Sequence, residues 1–422
     1  MKARLSILAL VLAAVCLGGA AATSSARGDS GSPPDTYVAS WDATATQAFT
    51  AAALTPAEGH VIFAYLAIAE YDSVMAIDGG YKPFAVDVDA PEGASAEAAV
   101  NEAAYRILVH YLPAQKTTIL DPAYLAAMGT IPASQAKDDG TSTGKAVADL
   151  LIAQRADDGF RASVTYTPPN PPIPGVWLPT APTPAVGTYL GGMRPFALDS
   201  ADQFRPAGPP ALSSKQWARD YNETKELGSS TSTTRTPEQT VAARFWAEPP
   251  VQQAHLGLRK FVLDRRLDVV DAARFMGMVS VTLADSLIAC FDAKYHYAFW
   301  RPITAVRAGD TDGNDATVGD PTWTPLIGTP NHPEYPSAHS CLTPASGRVI
   351  ARFLGTGEIE YTIPSLTGLG DRHFDRVQDL EYDVGNARIW GGIHFRTAVE
   401  DGIEIGKKTA DQVLAHHFKS AS

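Results

Sequence analysis

A chain of 422 residues, 45% of them hydrophobic, can bury one large core or two. Its formal charge of −12 argues against nucleic acid and anionic membrane surfaces as partners, since both call for a basic face. Met1 to Ala22 has the pattern of an export signal, with Lys2 and Arg4, an apolar run from Leu5 to Leu17, and the small residues Ala20-Ala21-Ala22. A secreted or periplasmic protein is therefore expected. Cys290 and Cys341 are the cysteines beyond that leader, available either as one disulfide or as two buried thiols. No other uncharged stretch is read as long enough to span a bilayer.

Helix signals dominate the rest of the chain, and strand alternation is scarce. Thr55-Pro56-Ala57-Glu58 is a capping box that opens an apolar run to Ile77. Ala94 to Tyr111, a short helix from Asp121-Pro122, and Ala133 to Asp157 follow, giving a helical bundle over residues 23–159. Asp72 interrupts the first apolar run, and a buried carboxylate there calls for a cationic partner; Arg388 or a neighbouring cation is the candidate. Residues 160–212 are rich in Pro, Gly and Thr, including Thr167-Pro-Pro-Asn-Pro-Pro-Ile-Pro174, and read as an irregular connection long enough to form a lid or mouth. Ser213-Ser-Lys-Gln216 and Thr236-Pro-Glu-Gln239 are further capping boxes. Helices are then expected over Leu267–Tyr297, Ser337–Phe353, Phe374–Arg388 and Ile393–Phe418, within a second bundle over residues 213–422. The predicted fold is all-α, two packed helical bundles with a long Pro/Gly-rich irregular connection.

Three clusters in the second half carry chemistry. They are Lys294-Tyr-His-Tyr-Ala-Phe-Trp-Arg301-Pro302, Pro336-Ser337-Ala338-His339, and Arg388-Ile-Trp-Gly-Gly-Ile-His394. Arginine offers a planar fork of donors matched to two oxygens of one anion, and lysine a compact charge. Pro302 is expected to end the helix that delivers Lys294 and Arg301. Pro336 suits a first helical position, leaving the Ser337, Ala338 and His339 amides free at a helix N-terminus. Gly391-Gly392 can break the helix between Arg388 and His394 and turn both side chains inward. Convergence of the three would make a pocket for a highly charged oxyanion.

In order and spacing these clusters resemble the signature shared by vanadium-dependent haloperoxidases, bacterial acid phosphatases and type 2 phosphatidic acid phosphatases. The likeness covers roughly residues 268 to 417. Ala64 to Ile77, followed by Tyr81-Lys-Pro-Phe84, is more loosely similar to the N-terminal half of bacterial haloperoxidase-like proteins. The chain departs from the signature at Ala338, where glycine is usual, at Ala387, in place of serine, and at Ala398, in place of the aspartate that holds the reactive histidine. Glu400 and Asp401 lie too far along to replace that aspartate locally.

Position by position, the resemblance implies that His394 is the vanadium ligand, or the nucleophile of a phosphatase. Lys294, Arg301 and Arg388 would offset the anion's charge, with Ser337 and the Ala338 amide bonding its oxygens. His339 would act as acid–base, its pKa depressed by the cations. His332 aligns with a position that is histidine in algal bromoperoxidases, which favours bromide. Vanadate is the implied cofactor, with hydrogen peroxide and halide as reactants. A phosphatase acting on a phosphate ester, needing no cofactor, and a non-catalytic oxyanion binder remain open. Trp300 and Trp390 are candidate pocket walls or ordinary core residues. Of the other histidines, His60, His110, His255, His373, His416 and His417 are read as structural or solvated.

Overall fold

The computed structural model describes residues 36–421, so the leader pattern at 1–22 lies outside it. The described residues form thirteen α-helices and one two-stranded antiparallel hairpin. The described residues open with α1 (Tyr37–Ala51), which the expectations above omit. Val38, Trp41, Ala45, Ala48 and Phe49 recur at helical spacing and are buried. Thr44, Thr46 and Thr50 dilute that pattern, and each hydroxyl bonds back to the carbonyl four residues earlier.

Helix α2 (Pro56–Asp78) starts at the predicted box, where the Thr55 hydroxyl and the Glu58 carboxylate each accept the other residue's amide. It is buried almost all round and packs on α3 (Ala96–Tyr111) and α5 (Gln135–Arg155), with α4 (Asp121–Gly129) between them in the chain. Residues 160–212 hold no α-helix or strand, only a tight turn at Leu190–Gly192. They are strapped to the second half: the Val186 amide donates to the Asn331 carbonyl (2.9 Å), and the Trp177 amide to that of Ala298 (2.7 Å).

The second half contains α6 (Lys215–Leu227), α7 (Pro237–Phe245), α8 (Pro250–Asp264), α9 (Val269–Tyr297), α10 (Pro302–Arg307) and α11 (Ala338–Leu354). The hairpin β1 (Glu358–Ile363) and β2 (Arg372–Arg376) follows, then α12 (Val377–Trp390) and α13 (Arg396–His416). Three expectations are corrected here. Ser214 rather than Ser213 caps α6, its hydroxyl accepting the Trp217 amide at 3.1 Å. β2 takes the first residues assigned to the Phe374–Arg388 helix, because Phe374 pairs with Tyr361 across the hairpin. Helix α9 stops at Tyr297, where Ala298 turns left-handed (φ 45°), so Arg301 is the N-cap of α10 rather than the end of α9.

Helix α9 is the axis of the molecule, packing on α2 on one side and on α11 and α13 on others. One apolar cluster runs from Val38 to Phe418, so the two bundles share a core. Both α2 and α9 are long and apolar enough, by length and composition, to cross a membrane, and here both are almost wholly buried in that core. Each carries one buried aspartate used in the same way. Asp72 accepts the amides of Phe84, Ala85 and Val86, and Asp285 accepts those of Phe196, Ala197 and Leu198. Asp72 therefore needs no Arg388: three oriented amides do the work of a cation. Burial pushes both carboxyls up to about 6.

Candidate functional site

Arg301 is the hub. Its Nε donates to the His332 carbonyl (2.8 Å) and its Nη1 to the Ile393 carbonyl (2.9 Å). Nη1 also lies 3.3 Å from His394 Nε2, and Nη2 2.9 Å from His332 Nδ1. The side chain is fully buried, and its extended backbone beside Pro302 turns it inward at the start of α10. The third cluster reaches the same place through the predicted break. Helix α12 ends at Trp390, Gly392 adopts φ 75°, and the Ile393 amide returns to the Arg388 carbonyl (3.2 Å).

The structure supplies a carboxylate that sequence reasoning missed. Glu334 Oε1 lies 2.9 Å from His394 Nδ1 and accepts the Phe395 amide at 2.9 Å. It stands behind the imidazole and does the job that the missing aspartate at Ala398 was expected to leave undone. A donor at Nδ1 facing Glu334 and an acceptor at Nε2 facing Arg301 make the Nδ1–H tautomer the consistent one. The Nε2 lone pair of His394 then points toward the cations. Glu334 sits two residues before Pro336, beside the second cluster; its isolated charge in Pro333-Glu-Tyr-Pro336 was the available signal.

The second cluster also differs from expectation. Ser337 is the N-cap of α11 and Pro336 precedes it, because Ser337 keeps an extended backbone (ψ 119°) and gives its amide to the Ala398 carbonyl (2.9 Å). Its hydroxyl accepts that of Ser340 at 2.9 Å, leaving its own proton for another acceptor. The free amides at this helix N-terminus are therefore those of Ala338 and His339. Lys294 Nζ gives its three bonds to the carbonyls of Pro333 and Glu334 (both 3.0 Å) and of Pro336. It tethers the segment that presents Glu334 and Ser337 and adds charge at a distance.

These residues close one end of a cavity of about 470 Å³. His332, Ala338, His339, Arg388 and His394 line it; Lys294, Arg301, Ser337 and Trp300 do not. Trp300 is a core residue instead, stacked 6.0 Å from Trp217 and packed with Phe299, and Trp390 also belongs to the core. Val186 brings the irregular connection to the cavity wall. His60, expected to be structural or solvated, lines the cavity from α2 and is buried with no partner for its Nδ1. A polar ring inside an otherwise apolar helical run was its only trace in the sequence. Cys290 and Cys341 are both buried free thiols, which settles the choice left open above.

The electrostatics follow from burial beside like charges. Burial lowers Lys294 to about 8, Arg388 to about 9 and Arg301 to about 10. His332, His339 and His394 fall well below the ordinary histidine range, burial first and the cations second. The expected direction for His339 holds, but its leading cause is desolvation. Burial raises Glu334, against the pull of the Phe395 amide, Arg301 and Lys294. His60 falls to about 3, through burial and then His255.

His60 therefore offers a clean pH test. Its folded pKa lies below the unfolded value, so its neutral form is fully tolerated above about 6.5 and costs stability as pH falls below that. Relative to His60→Gln, the natural protein should lose about 2 kcal/mol between about pH 6.5 and about pH 5. Urea unfolding at both pH values measures the difference; parallel profiles would show that His60 is charged in the fold.

Several polar groups on the cavity residues lack partners among the described residues: the buried donor Arg388 Nε, the Ala338 and His339 amides, and the buried His339 Nε2, an acceptor because the other ring nitrogen donates to the Trp246 carbonyl. Orphaned buried donors are costly unless a ligand completes them. A set of donors beside two guanidinium groups, with the imidazole lone pairs of His394 and His339 among them, suits an oxyanion that also accepts a nitrogen ligand.

A family model described as the vanadium chloroperoxidase second helical-bundle domain matches residues 274–422. Vanadium chloroperoxidase of Curvularia inaequalis is 24% identical over 371 residues, which covers 67% of this chain and 60% of that protein. The chain thus spans less than two thirds of that relative. Among solved structures, a bacterial vanadium-dependent iodoperoxidase superposes with a TM-score of 0.77 at 24% identity, over 90% of this chain and 97% of that one. A holo-type bacterial vanadium-dependent chloroperoxidase gives 0.70 at 19% identity, over 92% and 98%. These superpositions establish a shared helical fold.

Proposed function

We propose that this chain, a member of the vanadium haloperoxidase superfamily, holds vanadate at His394 and uses hydrogen peroxide to oxidise halide, bromide before chloride. The observation that carries the reading is His394 itself. Glu334 holds its Nδ1, and its Nε2 faces Arg301 beside a cavity end rich in unpartnered donors. Vanadate, when bound, supplies the Lewis acidity that makes hydrogen peroxide an oxygen donor to halide.

The protein's own contribution is preorganised charge. Arg388, with the Ala338 and His339 amides, faces developing negative charge without having to reorganise, and Arg301 adds its charge from behind His394 and His332. His339, kept neutral by burial, can take a proton from hydrogen peroxide at Nε2 and later return it. Lys294 acts through the 333–336 segment that it ties down. His332, set against Arg301, borders the cavity where halide would approach.

One assay series tests the reading: bromination of a phenolic dye by peroxide with and without vanadate, beside hydrolysis of an aryl phosphate. Bromination that requires vanadate and is inhibited by phosphate is the expected result. Aryl phosphate turnover inhibited by vanadate would make the site a phosphohistidine phosphatase, and silence in both would leave an oxyanion binder. We extend the proposal to an exported protein on the 1–22 pattern; N-terminal sequencing of the mature chain should begin just after Ala22.

A further inference from the structure

The oxyanion fills only part of the cavity. A water molecule's share of volume is about 30 Å³, so an anion of five heavy atoms displaces roughly 150 Å³. Against 470 Å³, that leaves space for about a dozen further heavy atoms, well beyond a halide and a peroxide. Much of the remaining wall is hydrocarbon: Leu258 from α8, Leu283 and Leu287 from α9, Leu342 from α11 and Ile363 from β1. A space of this size and polarity is what organic ligands occupy.

Polar side chains share the lining, among them His60, Glu248, Gln253, Thr343 and Ser346, and Tyr361 stands with Ile363 on β1. The Tyr361 ring is buried and lines the cavity, and its hydroxyl makes no hydrogen bond among the described residues. A methyl on Gly257 would lie 2.7 Å from that oxygen, so the glycine of α8 leaves it room. A buried hydroxyl in an apolar chamber is a handle waiting for a ligand's polar atom.

We propose that the chamber binds the organic acceptor: a neutral, electron-rich aromatic molecule with an apolar tail and one hydroxyl, bonded to Tyr361. The inference rests on the haloperoxidase reading, in which hydrogen peroxide and bromide yield HOBr at the cavity's polar end. Within the chamber the ring carbon forms a bond to bromine as the O–Br bond breaks. The ring proton leaves with the hydroxide as water, so ArH and HOBr give ArBr and water. Halogenation is then confined to the protein rather than carried out by oxidant released to solvent.

The test uses the full chain and para-pentylphenol. Equilibrium dialysis without peroxide or vanadate should show saturable binding, weakened at least about tenfold by Leu342→Trp, which fills the chamber. Tyr361→Phe, which keeps the packing, should weaken para-pentylphenol by roughly threefold or more and leave pentylbenzene unaffected. In turnover, a mixture of para-pentylphenol and a sulfonated phenol should be brominated in favour of the former, beyond the ratio given by reagent HOBr. Leu342→Trp should return that ratio to the reagent's value. Bromide oxidation with no saturable binding and a reagent-like ratio would overturn the chamber alone. Saturable binding without halide oxidation would support the chamber while overturning the reading of the oxyanion site.

Discussion

His394→Ala should lose vanadate-dependent bromide oxidation by at least about a thousandfold in kcat/KM, the largest single effect expected in this protein. The imidazole is the one held by a carboxylate at Nδ1 with its Nε2 facing Arg301, and the other neutral imidazole at this end, His339, is assigned to proton transfer. Lys294 has no N–H to spare, Arg301 and Arg388 are donors only, and His332 faces the side of Arg301. The guanidinium groups would still attract oxyanions, so weak phosphate inhibition should survive while vanadate no longer stays bound through dialysis. Activity within about tenfold of the natural protein would mean that another group anchors the anion and that the assignment of His394 is wrong.

The second large effect falls on Glu334, the residue that no motif named. Glu334→Gln preserves an acceptor for His394 Nδ1 but removes the carboxyl that, once ionised above about 8, makes the imidazole a better ligand; vanadate affinity there should fall by about 10- to 100-fold. Glu334→Ala should go further, since the His394 Nδ1–H and the Phe395 amide both lose their partner in a buried place. Each orphaned donor costs about 1–3 kcal/mol, giving a destabilisation of about 2–6 kcal/mol. Vanadate titration followed by urea unfolding separates the two variants. An unchanged vanadate affinity in Glu334→Gln would reduce Glu334 to a packing residue.

The residues most legible in the sequence were those whose chemistry is local. Thr55-Pro-Ala-Glu58 announces a helix start because a capping box needs only four successive residues to close. Gly391-Gly392 announces a break because the conformation at Gly392 suits a residue without a side chain. The apolar run of α9 and its cation at Lys294 could be read from periodicity and charge alone. Helix α1 and the hairpin escaped because threonines blur one pattern and the other needs a partner strand to give it meaning.

What escaped at the site was partnership across the chain. The sequence shows that Ala398 cannot hold His394; it cannot show that Glu334, 60 residues away, reaches its Nδ1. It shows an aspartate in α2 but not the three amides that satisfy it, and a histidine at position 60 but not the cavity wall it forms. By itself the sequence determined the helical class of the protein, the three oxyanion clusters and the residue types they offer, because those depend on spacing along one segment. Only the tertiary structure decided which of these residues face the cavity, which tautomer His394 carries and how much apolar space lies beside it. Those outcomes depend on distances between segments, which the packing of α9 against α2, α11 and α13 creates and no local pattern encodes.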